Sequence, residues 1–226
     1  MVGSEWSKPR VIVFGTGQIA EVAQFYLEYD GGVEVVGFAV DGVFKETEYF
    51  NERPVVAWES LATVFSPEDV YLFAPTAFKR ADGARRTRYE SGKAMGFSFW
   101  TYISPNARYY GSAVGENCFI LEDNVIQPFT QIGDNVVLWS GNHVGHHSVI
   151  KSHCFVASHV VISGSVKIGE EVFLGVNATV RDNVRIGAQS VIGAGAFVSR
   201  DIEAERVVFA PESRFPEIKS SRLRRI

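Results

Sequence analysis

Cysteine is scarce in this chain: Cys118 and Cys154 are the only two among 226 residues. Small secreted folds spend many cysteines on few residues, so these two do not make a disulfide framework. An excess of positive charge is lacking as well. Twenty-two Lys and Arg stand against 26 Asp and Glu, a net charge of −4. No basic field invites nucleic acid or an anionic lipid surface. There is no run of about 18 apolar residues, which removes a membrane-spanning helix from the readings. The opening residues, MVGSEWSKPR, lack the apolar core of a signal peptide. These absences lead to the expectation of a cytoplasmic protein, with 46% hydrophobic residues available for one or two packed cores.

Histidine is the third shortage. The chain holds five, and His143, His146, His147, His153 and His159 all lie between Ser140 and Val161. A metal site, a catalytic base and an accident of repetition are the three candidate explanations.

What is abundant is periodicity. Stepping by six from Val114 through Ile120, Ile126 and Ile132 to Val198, fifteen consecutive positions are Val, Ile or Leu. Were about a quarter of residues aliphatic, chance would give such a run on the order of once in a billion. Small residues follow, such as Gly115, Gly133, Gly145 and Gly169. Four past the aliphatic come small or β-branched residues such as Val136, Ser148 and Val160. A period of six suits neither a helix nor an ordinary strand. It suits a short strand plus a tight turn, three to a coil of 18 residues, with the aliphatic pointing into a triangular prism and glycine relieving the turn. A plain β-sandwich does not require that strict step. Residues 18 apart then stack at about 4.8 Å. Asn124 and Asn142 should form an internal ladder. Cys118 and Cys154, two coils apart at roughly 9–10 Å, should be buried free thiols.

The first hundred residues read differently. Arg10–Phe14 is an apolar strand, a helical pattern runs to Tyr29, and a second strand, Val33–Val40, ends at Asp41. Trp58–Phe65 reads as a short helix, Val70–Pro75 as a strand, Phe78–Met95 as a basic amphipathic helix and Phe97–Ile103 as a strand. The alternation implies a small Rossmann-like parallel sheet with helices on its faces. Gly15, Gly17 and Ala20 form G-x-G-x-x-A between strand and helix, a phosphate cradle in that context. Asp41 sits where an acid can meet a ribose hydroxyl. The same pattern would serve NAD, or the glycines only permit a tight turn. Lys79, Arg80, Arg85, Arg86 and Arg88 either hold phosphate or form a solvated helix face.

A small α/β domain followed by such coils resembles the bacterial sugar O-/N-acyltransferases of the NeuD/PglD type, with a hexapeptide-repeat left-handed β-helix. The stretches carrying the likeness are NHVGHHSVI, GSVKIGEEVFLGVNATV and IGAGAFV, between Asn142 and Val198. The resemblance implies a Rossmann-like parallel βαβ domain over residues 1–103, a left-handed parallel β-helix of about five coils over 104–205, and a tail over 206–226. It implies transfer of an acetyl group from acetyl-CoA to an amino or hydroxyl group of a nucleotide-linked sugar. It also implies a homotrimer with CoA in a groove between β-helices and the nucleotide held by the N-terminal domain. The family's catalytic histidine falls on His146, where the usual acidic neighbour is replaced by His147. The histidine that often follows the family's N-terminal glycines is replaced by Gln18 or Ile19.

Acyl transfer from a thioester needs a base, an oxyanion donor and alignment. His146 is the expected base and His147 its second or orienting group. Gly164, one coil above His146, is expected to offer its N–H to the thioester oxygen. Ser158, Val176 and Ala194, an 18-residue column on another corner, would line the pantetheine arm. Acceptor contacts are expected from Gly15, Gly17, Gln18, Asp41, Asn142 and His143, whereas His153 and His159 read as outward surface or interface residues. The tail, with Arg222, Arg224 and Arg225, could touch CoA phosphates or be a loose basic end. Two other readings stand beside this one. One is a metal-dependent hydratase like the gamma-class carbonic anhydrases, although no two histidines here are five apart; no metal is expected. The other is a non-catalytic nucleotide-sugar binder.

Overall fold

The computed structural model describes residues 8–76 and 84–212. Lys79, Arg80, the first residues of the basic helix and the tail from residue 213 lie outside them.

The N-terminal sheet begins with β1 (Arg10–Phe14), which leads into α1 (Gln18–Tyr29) and returns as β2 (Glu34–Val40). A hairpin follows, β3 (Tyr49–Phe50) and β4 (Arg53–Ala57), then the short α2 (Leu61–Val64), β5 (Tyr71–Phe73) and α3 (Ala84–Ala94). The strand order is β3-β4-β2-β1-β5, parallel except for the β3–β4 pair. The hairpin is absent from the sequence reading. Its turn residues Asn51 and Glu52 both have positive φ (44° and 62°), the conformation of a two-residue primed turn. Ala20, Ala23 and Leu27 of α1 are buried in the core that also contains Val11, Val13, Val35 and Phe73.

The rest of the chain is a stack of two-residue strands forming three parallel sheets. From Ala113–Val114 to Phe197–Val198 each strand ends on an aliphatic of the six-residue series, and from Ile120 to Val198 every one of them is buried. The first face runs from Tyr102–Ile103 through Phe119–Ile120, Val137–Leu138 and Phe155–Val156 to Val207–Val208. The second contains Val125–Ile126, His143–Val144 and Val161–Ile162, and the third Gln131–Ile132, Val149–Ile150 and Lys167–Ile168. The stack starts and ends just beyond the expected bounds of 104–205, because Tyr102–Ile103 already pairs with Phe119–Ile120 and Val207–Val208 pairs with Val191–Ile192. The connecting segment bonds to both units: Trp100 N donates to Leu72 O, and Tyr102 N to Cys118 O.

Glycine's role differs from the expected one. The left-handed corner recurs every six residues from Asn117 to Gly195, with φ between 55° and 80°, and most of its occupants are not glycine. Asn, Asp and His tolerate that conformation best among side-chain-bearing residues. His147, His153 and His159 occupy three consecutive corners of this kind, so repetition accounts for three of the five histidines. The glycine after the aliphatic serves close approach instead: a Cβ at Gly145 would sit 2.5 Å from the backbone of Ser163 in the next coil.

Asn124 and Asn142 form the expected internal ladder, Asn142 N donating to Asn124 Oδ1 (3.3 Å) and Val160 N to Asn142 Oδ1 (2.7 Å). Both cysteines are free and buried. Desolvation pushes both thiols up to about 12.

The N-terminal domain docks on the first face because that face is apolar outside as well as inside. Phe119, Leu121, Val137 and Phe155 share one core with α1 and β1. α3 is not a solvated basic face. Arg85 is buried and donates to Asn135 O (2.8 Å) and Cys154 O (3.3 Å), and burial pulls its guanidinium down to about 10. Arg86 pairs with Glu90, Glu170 and Glu171. His153 is covered by this contact rather than outward, with Nδ1 2.9 Å from Asn135 Nδ2 and its ring beside Tyr89.

Candidate active site

His146 stands on the corner that follows the second face, two residues past the inward Val144, and is exposed. Its backbone N–H donates to Gln127 Oε1 (2.9 Å), which fixes the corner. Its Nδ1 lies 3.0 Å from Nδ1 of His147. One of the two rings donates and the other accepts. With His146 as donor, Nε2 keeps its lone pair, the form a general base needs. The second imidazole thus stands beside Nδ1, in the neighbouring position that an acidic residue usually takes in the family resembled. Among the described residues no carboxylate is hydrogen-bonded to either ring.

The ring of His146 lies across Gly164, one coil above. A Cβ there would come 2.9 Å from Cε1 and 3.0 Å from Nε2. Gly164→Ala is therefore expected to displace the imidazole while the fold persists. Misplacing a reacting group by about 1 Å costs about 10²-fold, so kcat should fall by that order with little change in Tm, as read by steady-state assay and thermal melt. The expected oxyanion role of Gly164 is corrected: its N–H already donates to Asp182 Oδ1 (2.9 Å), one coil further up.

Asn142 needs a second correction. It is 1% exposed, and its inward position in the ladder leaves nothing for a substrate to touch. His143 projects from the second face, half-buried, beside Val125 and Val161 in the adjacent rungs. His159 is exposed and its ring lies against Gly141.

Ser158, Val176 and Ala194 do form a column, on the corner between the first and second faces. The carbonyls of Ser158 and Val176 are taken by the N–H groups of Asn177 and Gly195. The amides of all three have no acceptor among the described residues. They leave unengaged donors at about one per 4.8 Å of axis. Lower on the same corner, a cavity of about 730 Å³ opens between α1 and the coils. Gln18, Phe25 and Tyr26 line one side, Glu122, Trp139 and Ser140 the other. Glu122 is pinned there, accepting from Tyr26 Oη (2.8 Å) and Ser140 Oγ (2.6 Å).

Gln18 and Ile19, which follow the glycine turn, line this cavity. Gly15 has φ 108°, which requires glycine, and Gly17 caps α1 without a side chain of its own. Asp41, expected to be open to a ribose, is ion-paired to Arg88 (2.5 Å). The Arg88 guanidinium carbon lies 4.6 Å from the Phe14 ring centre and 4.7 Å from that of Trp58. The acid stands at the end of β2, as the spacing predicts, but one of its oxygens is already engaged.

The repeated corners, the buried aliphatic series and the outward imidazole define a left-handed β-helix of the hexapeptide-repeat class. Residues 129–164 and 165–200 match the bacterial transferase hexapeptide (six repeats) family. Across both domains the chain is similar to a histidine variant of perosamine N-acetyltransferase from Caulobacter crescentus, in complex with CoA and GDP-perosamine. The TM-score is 0.76 at 26% identity, covering 88% of this chain and 93% of that one. The acetyltransferase domain of PglB from Neisseria gonorrhoeae, in complex with acetyl coenzyme A, shares the fold with TM-score 0.76 at 22% identity, over 90% and 97% of the two chains. An acyl-[acyl-carrier-protein]–UDP-N-acetylglucosamine O-acyltransferase from Nautilia profundicola is 33% identical over 106 residues, 42% of this chain. That match spans 41% of the curated relative's length.

Sequence reasoning missed Gln127, Phe129 and Asp182 around the base, and Tyr26, Glu122, Trp139 and Ser140 around the cavity. Extending the 18-residue columns would have found several of them: Phe129 lies 18 before His147, and Asp182 18 after Gly164. Among the described residues no three His, Cys, Asp or Glu side chains gather as a metal site, and no helix is long and apolar enough to cross a membrane.

Proposed function

We propose that the protein transfers an acetyl group from acetyl-CoA to an amino or hydroxyl group of a nucleotide-linked sugar in the cytoplasm, with His146 as general base. The observation that carries this reading is the outward His146, its Nε2 lying across a residue without a side chain on a hexapeptide-repeat scaffold. Similarity across both domains to a sugar N-acetyltransferase in complex with CoA and GDP-perosamine supports it. In the reaction His146 Nε2 takes the proton of the acceptor as its nitrogen or oxygen attacks the thioester carbon. The C–S bond breaks, and the same proton passes to the leaving sulfur. The uncapped amides of Ser158, Val176 and Ala194 suit the amide carbonyls of a pantetheine arm. Gly15, Gly17 and Gln18 suit the acceptor's phosphates, with the sugar reaching into the cavity beside Glu122 and Trp139.

The corners these groups occupy favour a homotrimer with shared sites. The glycine turn, the cavity and the donor column stand at the corner between the first and second faces, and His146 stands at the next corner. One chain's substrate elements are therefore completed by another chain's base. The second face bears exposed Val161 (39%) and Phe197 (63%), apolar surface that a neighbour would cover.

The test is CoA release from acetyl-CoA that depends on a nucleotide-linked sugar. Shared sites are tested by mixing His146→Ala subunits with Gly17→Trp subunits, whose turn is blocked. Random pairing at each boundary should restore about a quarter of the activity. No restoration would place base and turn in one chain, and no sugar-dependent release would remove the acyl-transfer reading.

A further inference from the structure

Phe129 is out of character for its place. From Asn117 to Gly195 the left-handed corner recurs at fourteen positions, and the other thirteen hold Asn, Asp, Gly, His, Ser, Glu or Gln. Phe129 alone is large and apolar, at φ 67°. A bulky side chain there is a genuine outlier, and strain of this kind is kept where something depends on it. Burial does not explain the residue, since Phe129 is 61% exposed. Its contact does: the ring lies one coil below His147, with centroids 4.7 Å apart and planes inclined by 38°. His147 in turn meets His146 through their two Nδ1 atoms at 3.0 Å.

We propose that Phe129 is a positioning residue for the reaction: its ring holds His147 against His146 and stabilises positive charge passed from the base to His147. The proposal rests on the acyl-transfer reading. In the resting pair, His146 Nδ1–H donates to His147 Nδ1, and His147 bears its proton on Nε2. When His146 Nε2 takes the acceptor's proton, His146 becomes an imidazolium. Its Nδ1 proton can cross to His147 Nδ1, leaving His146 neutral and His147 cationic. The face of an aromatic ring attracts such a cation. When the departing sulfur takes the proton from His146 Nε2, the Nδ1 proton returns, and no charge or proton is gained or lost over the cycle. A carboxylate beside Nδ1 would balance the imidazolium by its own charge and would need no aromatic ring behind it. Phe129 is thus the counterpart of the missing acid.

The test replaces Phe129 by Asn, the residue that four equivalent corners already carry (Asn117, Asn135, Asn177 and Asn183). Relief of one strained left-handed residue should raise Tm by about 2–4 °C. The same change should lower kcat about two- to fivefold, the size of an exposed cation–π contact, and leave the KM for acetyl-CoA unchanged. A gain in stability with a loss in turnover is not what a merely structural residue gives. In a His147→Glu background, kcat should no longer respond to Phe129→Asn, because no cation then faces the ring. Left-handed Glu171 shows that the corner accepts glutamate. In ¹⁵N-labelled protein without substrates, scalar coupling between Nδ1 of His146 and Nδ1 of His147 should be present, and weaker in Phe129→Asn. An unchanged kcat, an equal loss in the His147→Glu background, or no such coupling in the native protein would overturn the proposal. The coupling and the melt need no turnover, so their failure is separable from failure of the acyl-transfer reading.

Discussion

Replacing His146 by Ala is expected to lower kcat about 10²- to 10⁴-fold, the usual contribution of a positioned base, with the KM for acetyl-CoA little changed. The fold should survive, because His146 is exposed and its backbone bond to Gln127 Oε1 does not involve the imidazole. CoA already carries an activated acyl group, so no covalent relay through a side chain is needed, and loss of the base falls on the proton-transfer step. The reading predicts a kcat effect because the imidazole meets the acceptor's proton, whereas the amides of Ser158, Val176 and Ala194 meet the donor. Steady-state kinetics of the variant against both substrates decides it. Turnover near the native rate would remove His146 from the mechanism, and a change confined to the KM for acetyl-CoA would make it a binding residue.

The largest stability effect is expected from Leu174→Ala. Leu174 is fully buried in the centre of the prism, on the rung between Val156 and Ile192. Truncation removes apolar burial and leaves a cavity that rigid coils above and below cannot close. Such changes cost about 2–5 kcal/mol. Because the backbone around Leu174 bonds only to the adjacent coils, the loss should loosen the stack locally before the ends respond. Denaturant unfolding gives the free energy, and hydrogen exchange locates the loosening at residues 156, 174 and 192. Phe197→Ala makes the comparison: Phe197 is 63% exposed on the second face, so its loss should cost the isolated chain less than about 0.5 kcal/mol. If the two variants were equally stable, the inward six-residue series would not be the source of the fold's stability.

Much of the fold is legible because a repeat multiplies a weak local signal. One Val followed by Gly means little, but fifteen at a fixed step leave one scaffold that buries them all. The internal Asn124–Asn142 ladder and the buried thiols follow from the same step, since residues 18 apart must stack. The β3–β4 hairpin was hidden for the opposite reason. Its strands are short, and its turn, Asn51–Glu52, lacks the glycine that marks such turns. α3 misled because sequence shows only that it is basic. Arg85 is buried by the coils it meets, not by anything in its own helix.

The candidate site divides along the same line. His146 could be singled out from spacing and family resemblance, because its place in the repeat puts it on a corner. Asn142 could not be both ladder and substrate contact. The inward position settles that, and the repeat alone contained the answer.

The amino-acid sequence by itself determined the period, and with it the inward aliphatics, the stacked columns and the corners on which side chains stand. Only the tertiary structure decided which polar atoms of the candidate site are already engaged: the Gly164 N–H by Asp182, one oxygen of Asp41 by Arg88, and His146 Nδ1 by His147. The reason is physical. A repeat fixes the direction of each side chain relative to the axis, residue by residue. A hydrogen bond is settled between two residues: Asp182 comes from another coil, Arg88 from α3, and even the adjacent His146 and His147 meet only through side-chain rotamers that the spacing does not specify.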